Sequence, residues 1–517
     1  MKSNWLFLPV LFLVGFLLYG QSLKNPFVFD DELQITNNLV VKSFDVVAMF
    51  SGSTFTSYGK NDQSGIYFKP LQSLSYGILW QVGQGNSFPF HLFQLIIAIL
   101  NSFLFFYILS HWLNKIYSLL LAILFLVHPI NSEVVLYIAD LQDVLFSFWG
   151  LLSLVLLIRQ RHWVWISLCL LFSLLSKESG IIFIFAIPVI SWLINPESFK
   201  QTKIYAMASV ISFGVYSIFR FGILSLTTLS YTNTPIGQIE MIDRIITFPK
   251  EVFYYLTTFF WPASITLHQN WVVTSVATEE FYVPVASAAV FAILILFVLR
   301  KVEVKLKFPA LVFIVLLIFN FGLHANIIIP LDATVANRWF YIGSLSLIGF
   351  IGIALRNLLA NHVRLAAVGW LVITLALSAR TYSRTADWKS GMALFTEAVE
   401  SSPTDENYNN SLGLEFYRAG DLVKAEQFFR KSVALDPKAR SNWNNLGTVE
   451  VAKGNYKAAE EYFAKAINNG QYPLAIENYA RLLRLQNRNE ELKVFLKTAF
   501  LVLPNNKFLL ELKANGF

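Results

Sequence analysis

Long apolar runs separated by short charged loops fill most of the chain, and a soluble pattern replaces them near residue 385. A helix of about twenty mostly apolar residues crosses a bilayer, or somewhat fewer if flanking side chains reach the interface. By that measure eleven spans are expected: 5–20, 90–110, 116–127, 143–158, 163–175, 181–194, 204–222, 281–299, 309–324, 339–355 and 365–379. The first run lacks a small-residue cleavage site before its polar flank, so it reads as a retained span and not a removed signal. Residues 245–261 are also apolar, but Pro249, Lys250 and Glu251 interrupt them and their aromatics cluster near one end. They read as an interfacial or re-entrant helix.

Charge sets the orientation. With Lys2 cytoplasmic, loops 111–115, 159–161, 200–203, 300–307 and 356–364 fall inside, and all five carry Lys or Arg, as the positive-inside rule requires. Loops 21–89, 128–142, 176–180, 223–280 and 325–338, and everything after 380, fall outside together with most of the acids.

The tail repeats itself. Leu412-Gly413 recurs as Leu446-Gly447, Gly420 as Gly454, Ala425 as Ala459, Phe429 as Phe463 and Pro403 as Pro437. Each offset is 34 residues, the tetratricopeptide period. Small residues let paired helices approach, Phe fills the gap and Pro ends the second helix. The pattern gives a half-repeat (388–403), two good repeats (404–437 and 438–471) and a degraded third (472–505). The expected fold is all-α: a polytopic membrane domain over 1–384 and a soluble tetratricopeptide α-solenoid over 385–517. The array reads either as a docking surface or as a scaffold steadying the membrane part.

Composition agrees. Only 14% of the 517 residues are charged and 55% are hydrophobic, where a soluble domain carries about 25% charged residues. The net charge of +7 belongs largely to inside loops and is not a nucleic-acid signal. The single Cys169 excludes an intramolecular disulfide.

Within this frame Phe29-Asp30-Asp31-Glu32 stands out, because its acids follow directly on the first span. Acids at membrane depth are functional by default or sit in water. Other ionisable residues gather on the same outer face: His128, Glu133, Asp140, Asp143, Lys177-Glu178, Arg220 and Asn337-Arg338. Acids so placed serve as general bases or hold a metal, and Arg or Lys holds a phosphate. Each has a plainer reading. His128 can bond locally at a helix end, Lys177 and Glu178 can pair with each other, and Arg220 can snorkel. Phosphate-loop, zinc-helix and nucleophile-elbow sequences do not stand out. Inverted repeats, the mark of many transporters, are not evident.

Taken in order, Phe29-Asp30-Asp31, residues 67–71 (Tyr-Phe-Lys-Pro-Leu), Pro89-Phe90-His91-Leu92, residues 128–133 (His-Pro-Ile-Asn-Ser-Glu), Leu175-Ser176-Lys177-Glu178, Trp261-Pro262-Ala263 and residues 338–341 precede the repeats. This series resembles the transmembrane and tetratricopeptide-repeat-containing O-mannosyltransferases and their bacterial relatives, across nearly the whole chain. The resemblance implies a GT-C glycosyltransferase that moves a sugar, typically mannose, from a polyprenyl-phosphate carrier to a protein hydroxyl with inversion. It implies Asp30 or Asp31 as catalytic base, and Lys177, Arg220, Arg338 and Lys69 as ligands of the donor phosphate. His91, His128, Glu133, Asp143 and Glu178 would position donor or acceptor. A divalent metal ion is left open as a cofactor. The implied partners are the lipid-linked sugar, an acceptor protein held by the repeats, and membrane lipids. The chain departs from the pattern at Asn337, where the family usually has Glu, and at Lys69, where Arg is common. Two alternatives stand beside this reading: a GT-C enzyme acting on a lipid or glycan, and a non-enzymatic scaffold. Short loops favour a bacterial inner membrane over the endoplasmic reticulum, with the repeats on the periplasmic or lumenal side.

Overall fold

The computed structural model describes residues 4–54, 67–223, 234–276, 279–470, 472–504 and 506–515. Parts of the two long loops, 55–66 and 224–233, therefore lie outside the described residues. The chain divides into two compact units, one ending at Lys389 and the other containing Ser390–Phe517.

The first unit is a bundle of apolar helices. Among the described residues, eight are long and apolar enough to cross a membrane: Trp5–Lys24, Phe88–Leu109, Ile138–Ile158, Phe199–Phe221, Glu279–Lys301, Val304–Leu323, Asn337–Asn357 and Val363–Asp387. A ninth results if Lys115–Val127 and Pro129–Leu136, bent by 55° at His128, count as one. Two shorter apolar helices, Trp163–Ser176 and Glu178–Ile194, occupy the remaining expected positions. The protein is a multi-pass membrane protein. Lengths of this kind separate spans because hydrocarbon leaves no water for backbone groups, so every N–H and C=O is paired within the helix. The most buried helices, such as Phe88–Leu109, Ile138–Ile158 and Asn337–Asn357, form the centre, whereas Glu279–Lys301 and Val363–Asp387 expose most of their surface.

Met241–Phe260 is one continuous helix with Pro249 inside it, and it is not among the eight. It buries Thr247, Glu251, Val252, Tyr255, Leu256 and Phe259 along one side, while Met241, Ile242, Ile245 and Phe260 are exposed. A two-residue antiparallel bridge, His268 opposite Ala336 and Gln269 opposite Val335, ties the segment after this helix to the segment before Asn337–Asn357. Arg380 donates to the carbonyls of Pro262 (3.1 Å) and Ala263 (2.9 Å), which fixes the turn after Trp261.

The second unit is built of helix pairs: Glu406–Arg418 with Leu422–Leu435, Arg440–Ala452 with Tyr456–Asn468, and Pro473–Leu485 with Asn489–Val502. Gly391–Ser401 precedes them and Lys507–Ala514 follows. The repeat glycines act as the period implies. A Cβ on Gly413 would sit 2.7 Å from the Phe429 ring, and one on Gly447 2.5 Å from Phe463. Gly420 and Gly454 turn between the helices of a pair at φ +82° and +80°, a region costly for any residue with a Cβ.

Candidate functional site

The site begins at the exit of the first span. Phe29 has φ +55°, a conformation strained for a bulky residue and kept only where its surroundings over-determine it. Its ring lies against Tyr137, with centroids 6.1 Å apart and planes 23° from parallel. Two acids follow this turn, and their surroundings differ sharply. Asp31 is 1% exposed. Its Oδ2 accepts from the Val28 N–H (3.0 Å) and its Oδ1 from the Ala139 N–H (2.8 Å). Asp31 thus clamps its own turn to residues more than a hundred positions away. Asp30 is half-buried; its backbone N–H donates to the Tyr137 hydroxyl (3.2 Å). Burial raises the Asp30 carboxyl above the ordinary carboxylate range, against the lowering effects of the Tyr137 hydroxyl, Arg338 and Lys69. Asp31 is raised further by burial, despite its two backbone donors.

The Ala139 anchor is itself held in place. Gln72 donates to the Ala139 carbonyl (2.8 Å) and the Tyr76 hydroxyl to Ile138 (2.7 Å). Gln94 donates to the carbonyls of Val134 (2.7 Å) and Tyr137 (2.6 Å). Gln72 and Tyr76 share a face of the helix Pro70–Gly83 at i, i+4 spacing. Lys69, the residue before that helix, is brought to the site by the same framework.

Four cations were expected to hold phosphate, and the structure divides them. Lys177 Nζ donates to both oxygens of Asp143 at 2.7 and 2.9 Å. Arg220 pairs with Glu178, and its Nη1 also donates to the Tyr216 hydroxyl at 3.2 Å. Lys177 and Glu178 therefore each find a partner on another helix and not each other. Arg338 bonds Glu133 Oε1 at 2.9 Å and approaches Asp140 Oδ1 at 3.8 Å. One oxygen of Glu133 and one of Asp140 are buried without a hydrogen-bond partner among the described residues. Lys69 differs from the other three. It is 6% exposed, its Nζ lies 4.2 Å from the centre of the Tyr67 ring, and no carboxylate pairs with it among the described residues. Burial lowers its pKa from 10.5 to about 8, with Glu178, Asp143 and Asp332 opposing the fall and Lys177 adding to it.

His91 and His128 are engaged with backbone. His91 Nε2 meets the Asn25 carbonyl at 3.2 Å. His128 Nε2 meets the Phe259 carbonyl at 3.0 Å, its Nδ1 accepts from the Ile130 N–H at 3.3 Å, and its ring stacks on Phe259. Asn337 is fully buried and donates to the Thr266 carbonyl, while its Oδ1 accepts from the Tyr254 hydroxyl at 3.1 Å. A carboxylate here would face a carbonyl oxygen, so the amide suits this packing, and the acids beside Arg338 come from Glu133 and Asp140 instead.

Sequence reasoning passed over two groups. Tyr137 carries the hydroxyl that receives the Asp30 N–H. Asp332 is close enough to act electrostatically on both Asp30 and Lys69. An acid in an outer loop between two spans was the available signal for Asp332; nothing local marks Tyr137. As for a metal, no three His, Cys, Asp or Glu side chains gather in a metal-holding arrangement among the described residues. Asp31, Asp143 and Glu178 are already committed to other donors.

Comparison with known proteins reaches up to 83% of the chain. Residues 441–469 match the family model described as tetratricopeptide repeat. Over 437 residues, 83% of this chain, it is 23% identical to a Caenorhabditis elegans protein named protein O-mannosyl-transferase F38B6.6. Over 458 residues, 80% of this chain, it is 21% identical to the mouse and human proteins named protein O-mannosyl-transferase TMTC3. The aligned parts cover 62% of the nematode protein and 49% of the other two, so the chain spans about half to three-fifths of the length of the curated relatives it matches.

Proposed function

Taking the chain as a member of the transmembrane and tetratricopeptide-repeat-containing O-mannosyltransferase family, we propose that it transfers mannose from a polyprenyl phosphate to Ser or Thr hydroxyls of proteins. A hydroxyl is a poor nucleophile and needs a base. In this reading Asp30 is that base, because its carboxylate is not consumed by backbone donors. Asp31 is a positioning residue that holds the turn presenting Asp30. The raised pKa of Asp30 suits the role, since a base whose pKa approaches the working pH accepts protons more effectively.

The hydroxyl oxygen forms a bond to the anomeric carbon from the face opposite the phosphate, and its proton passes to Asp30. The bond between the anomeric carbon and the phosphate oxygen breaks, and polyprenyl phosphate departs with the electron pair. This single displacement inverts the anomeric centre. Lys69 is the residue best suited to the developing phosphate charge. Lys177 and Arg220 are each neutralised by one acid, and Arg338 faces two; a buried cation without a carboxylate partner retains its full charge for a ligand. Arg338, held between Glu133 and Asp140, orients the acids around it. Lys177–Asp143 and Arg220–Glu178 are ion pairs that tie neighbouring segments of the site together.

The observation that carries the proposal is the contrast between Asp30 and Asp31: two adjacent acids, one bound on both oxygens and one left for chemistry. The outward orientation from loop charge puts this chemistry and the repeats in one extracytoplasmic compartment, the bacterial periplasm in the reading favoured by the short loops. Purified protein incubated with polyprenyl-phosphate mannose and a Ser/Thr-rich protein tests it. Sugar attached to protein supports the proposal; sugar attached only to a lipid or glycan, or to nothing, contradicts it.

A further inference from the structure

Trp388, Leu422 and Tyr456 stand 34 residues apart, at one position of the repeat. Leu422 opens the helix Leu422–Leu435, and Tyr456 opens Tyr456–Asn468. Both pack inside the repeats, Leu422 against the cluster of Ala425, Phe429 and Leu446, and Tyr456 against that of Ala459 and Phe463. Trp388, the first residue of the expected half-repeat, does otherwise. It belongs to the first unit, directly after the helix Val363–Asp387, and is 1% exposed. Its ring lies against Tyr137, with centroids 5.1 Å apart and planes 31° from parallel.

The end of that helix fixes where Trp388 starts. Val363–Asp387 exposes most of its surface, but Thr381, Arg384 and Thr385 are buried near its end. Thr381 Oγ1 donates to the Val127 carbonyl (2.7 Å), Gln21 Nε2 to Thr385 Oγ1, and Arg384 Nη1 to Asp387 Oδ2 (2.8 Å). Tyr137 in turn meets the turn that carries the acids. Its ring lies against Phe29, and its hydroxyl accepts the Asp30 N–H at 3.2 Å. The Tyr137 carbonyl is held by Gln94, so its backbone is anchored and its ring is placed by the rings beside it. Trp388 Nε1 is buried without a hydrogen-bond partner among the described residues. What Trp388 supplies is therefore a ring face, and tilted aromatic pairs of this kind have a preferred geometry.

We infer that Trp388 is a positioning residue: it fixes the Tyr137 ring and, through the Tyr137 hydroxyl, Asp30. A residue in the register of the repeats thereby serves the acid site and not the array. The inference rests on the proposed reaction only in taking Asp30 as the base. The Tyr137 hydroxyl lowers the Asp30 carboxyl, as do Arg338 and Lys69, while burial and Asp332 raise it. A Tyr137 ring that swings away loses its lowering contact, and the Asp30 carboxyl rises.

The test uses the full-length protein in detergent and the variants Trp388→Leu, Trp388→Phe, Tyr137→Phe and Trp388→Leu/Tyr137→Phe. One readout is sugar transfer from polyprenyl-phosphate mannose to a Ser/Thr-rich protein across pH. The other is the protonated-carboxyl infrared band that Asp30→Asn removes, titrated without substrate. Trp388→Leu keeps much of the volume and loses the ring face. It should lower kcat roughly ten- to a hundredfold, the scale of a reacting group displaced by up to ~1 Å, and leave donor KM within about twofold. The acid limb of kcat/KM and the infrared midpoint should move together to higher pH. Tyr137→Phe should move both the same way, and the double variant should be no worse than Tyr137→Phe alone, because residues in contact do not add. Trp388→Phe should restore most of the activity and the wild-type midpoint, since the indole N–H is not used. An unmoved midpoint in Trp388→Leu, or losses that multiply in the double variant, overturns the inference. Should Trp388→Leu fail to fold, the midpoint of Tyr137→Phe decides: unmoved, it overturns the inference; moved, it supports it. Wild-type protein that transfers no sugar, with the infrared shift present in Trp388→Leu, defeats the reaction and supports the inference. Transfer to protein with an unmoved midpoint defeats the inference alone.

Discussion

Replacing Asp31 by Asn should damage the protein in a way that replacing Asp30 does not. At Asp31 two oxygens serve two buried N–H groups, at 3.0 and 2.8 Å. Asparagine keeps one oxygen and points an NH2 at the other donor. One buried donor then goes unsatisfied, at a cost of about 1–3 kcal/mol. Removal of a buried, raised-pKa carboxylate offsets part of this. The net expectation is a loss of about 1–2 kcal/mol, concentrated where residues 28–31 meet 137–139. Asp30→Asn disturbs no backbone donor and keeps an oxygen for the Tyr137 hydroxyl. Its stability should stay within about 0.5 kcal/mol, as for most changes away from buried networks. The assay is thermal unfolding in detergent, read by intrinsic fluorescence, alongside sugar transfer at a temperature where both variants are folded. Asp31→Asn should melt earlier and retain measurable transfer, while Asp30→Asn should melt normally and lose transfer by at least a hundredfold, the lower range for a general base. The reverse pattern would refute the assignment of base and clamp.

Lys69 is neutral above about pH 8, so donor KM should rise as pH passes 8, roughly tenfold by pH 9 for a single titration. Lys69→Arg, which keeps its charge, should remove that rise, and Lys69→Met should raise KM at every pH. For stability the sign is opposite: the fold favours the neutral amine, so the cost of burying it is present below about pH 8 and fades between 8 and 10.5. Arg338→Gln leaves Glu133 and Asp140 without their cation and should cost about 3–5 kcal/mol, seen as loss of folded protein on size-exclusion chromatography; Arg338→Lys should recover much of it. Gly447→Ala places a Cβ 2.5 Å from the Phe463 ring and should destabilise the repeats by about 1–3 kcal/mol, measured as faster proteolysis within 390–517.

The spans and the repeats were legible because each depends on a local signal. Apolar length marks the eight long candidate spans directly, whereas Trp163–Ser176 is an apolar helix too short to be told from a core helix by length alone. The 34-residue spacing of Gly413 and Gly447 reflects one packing contact made twice. The site was only partly legible, because its logic lies in long-range partners. Asp30 and Asp31 look alike until residues 137 and 139 arrive beside them. Lys177 and Glu178 look like a pair, but adjacent residues do not face each other, and their partners are Asp143 and Arg220. That Lys69 meets no carboxylate partner among the described residues depends on long-range packing, since the acids that take Lys177, Arg220 and Arg338 come from other segments.

The central claim is that Asp30 is the base of a sugar transfer to protein. Its most direct test is to incubate purified wild-type protein and Asp30→Asn with polyprenyl-phosphate [14C]mannose and an acceptor protein, and to count label in the protein fraction. The account predicts label with wild type and none above background with Asp30→Asn. Equal incorporation by both proteins would contradict it.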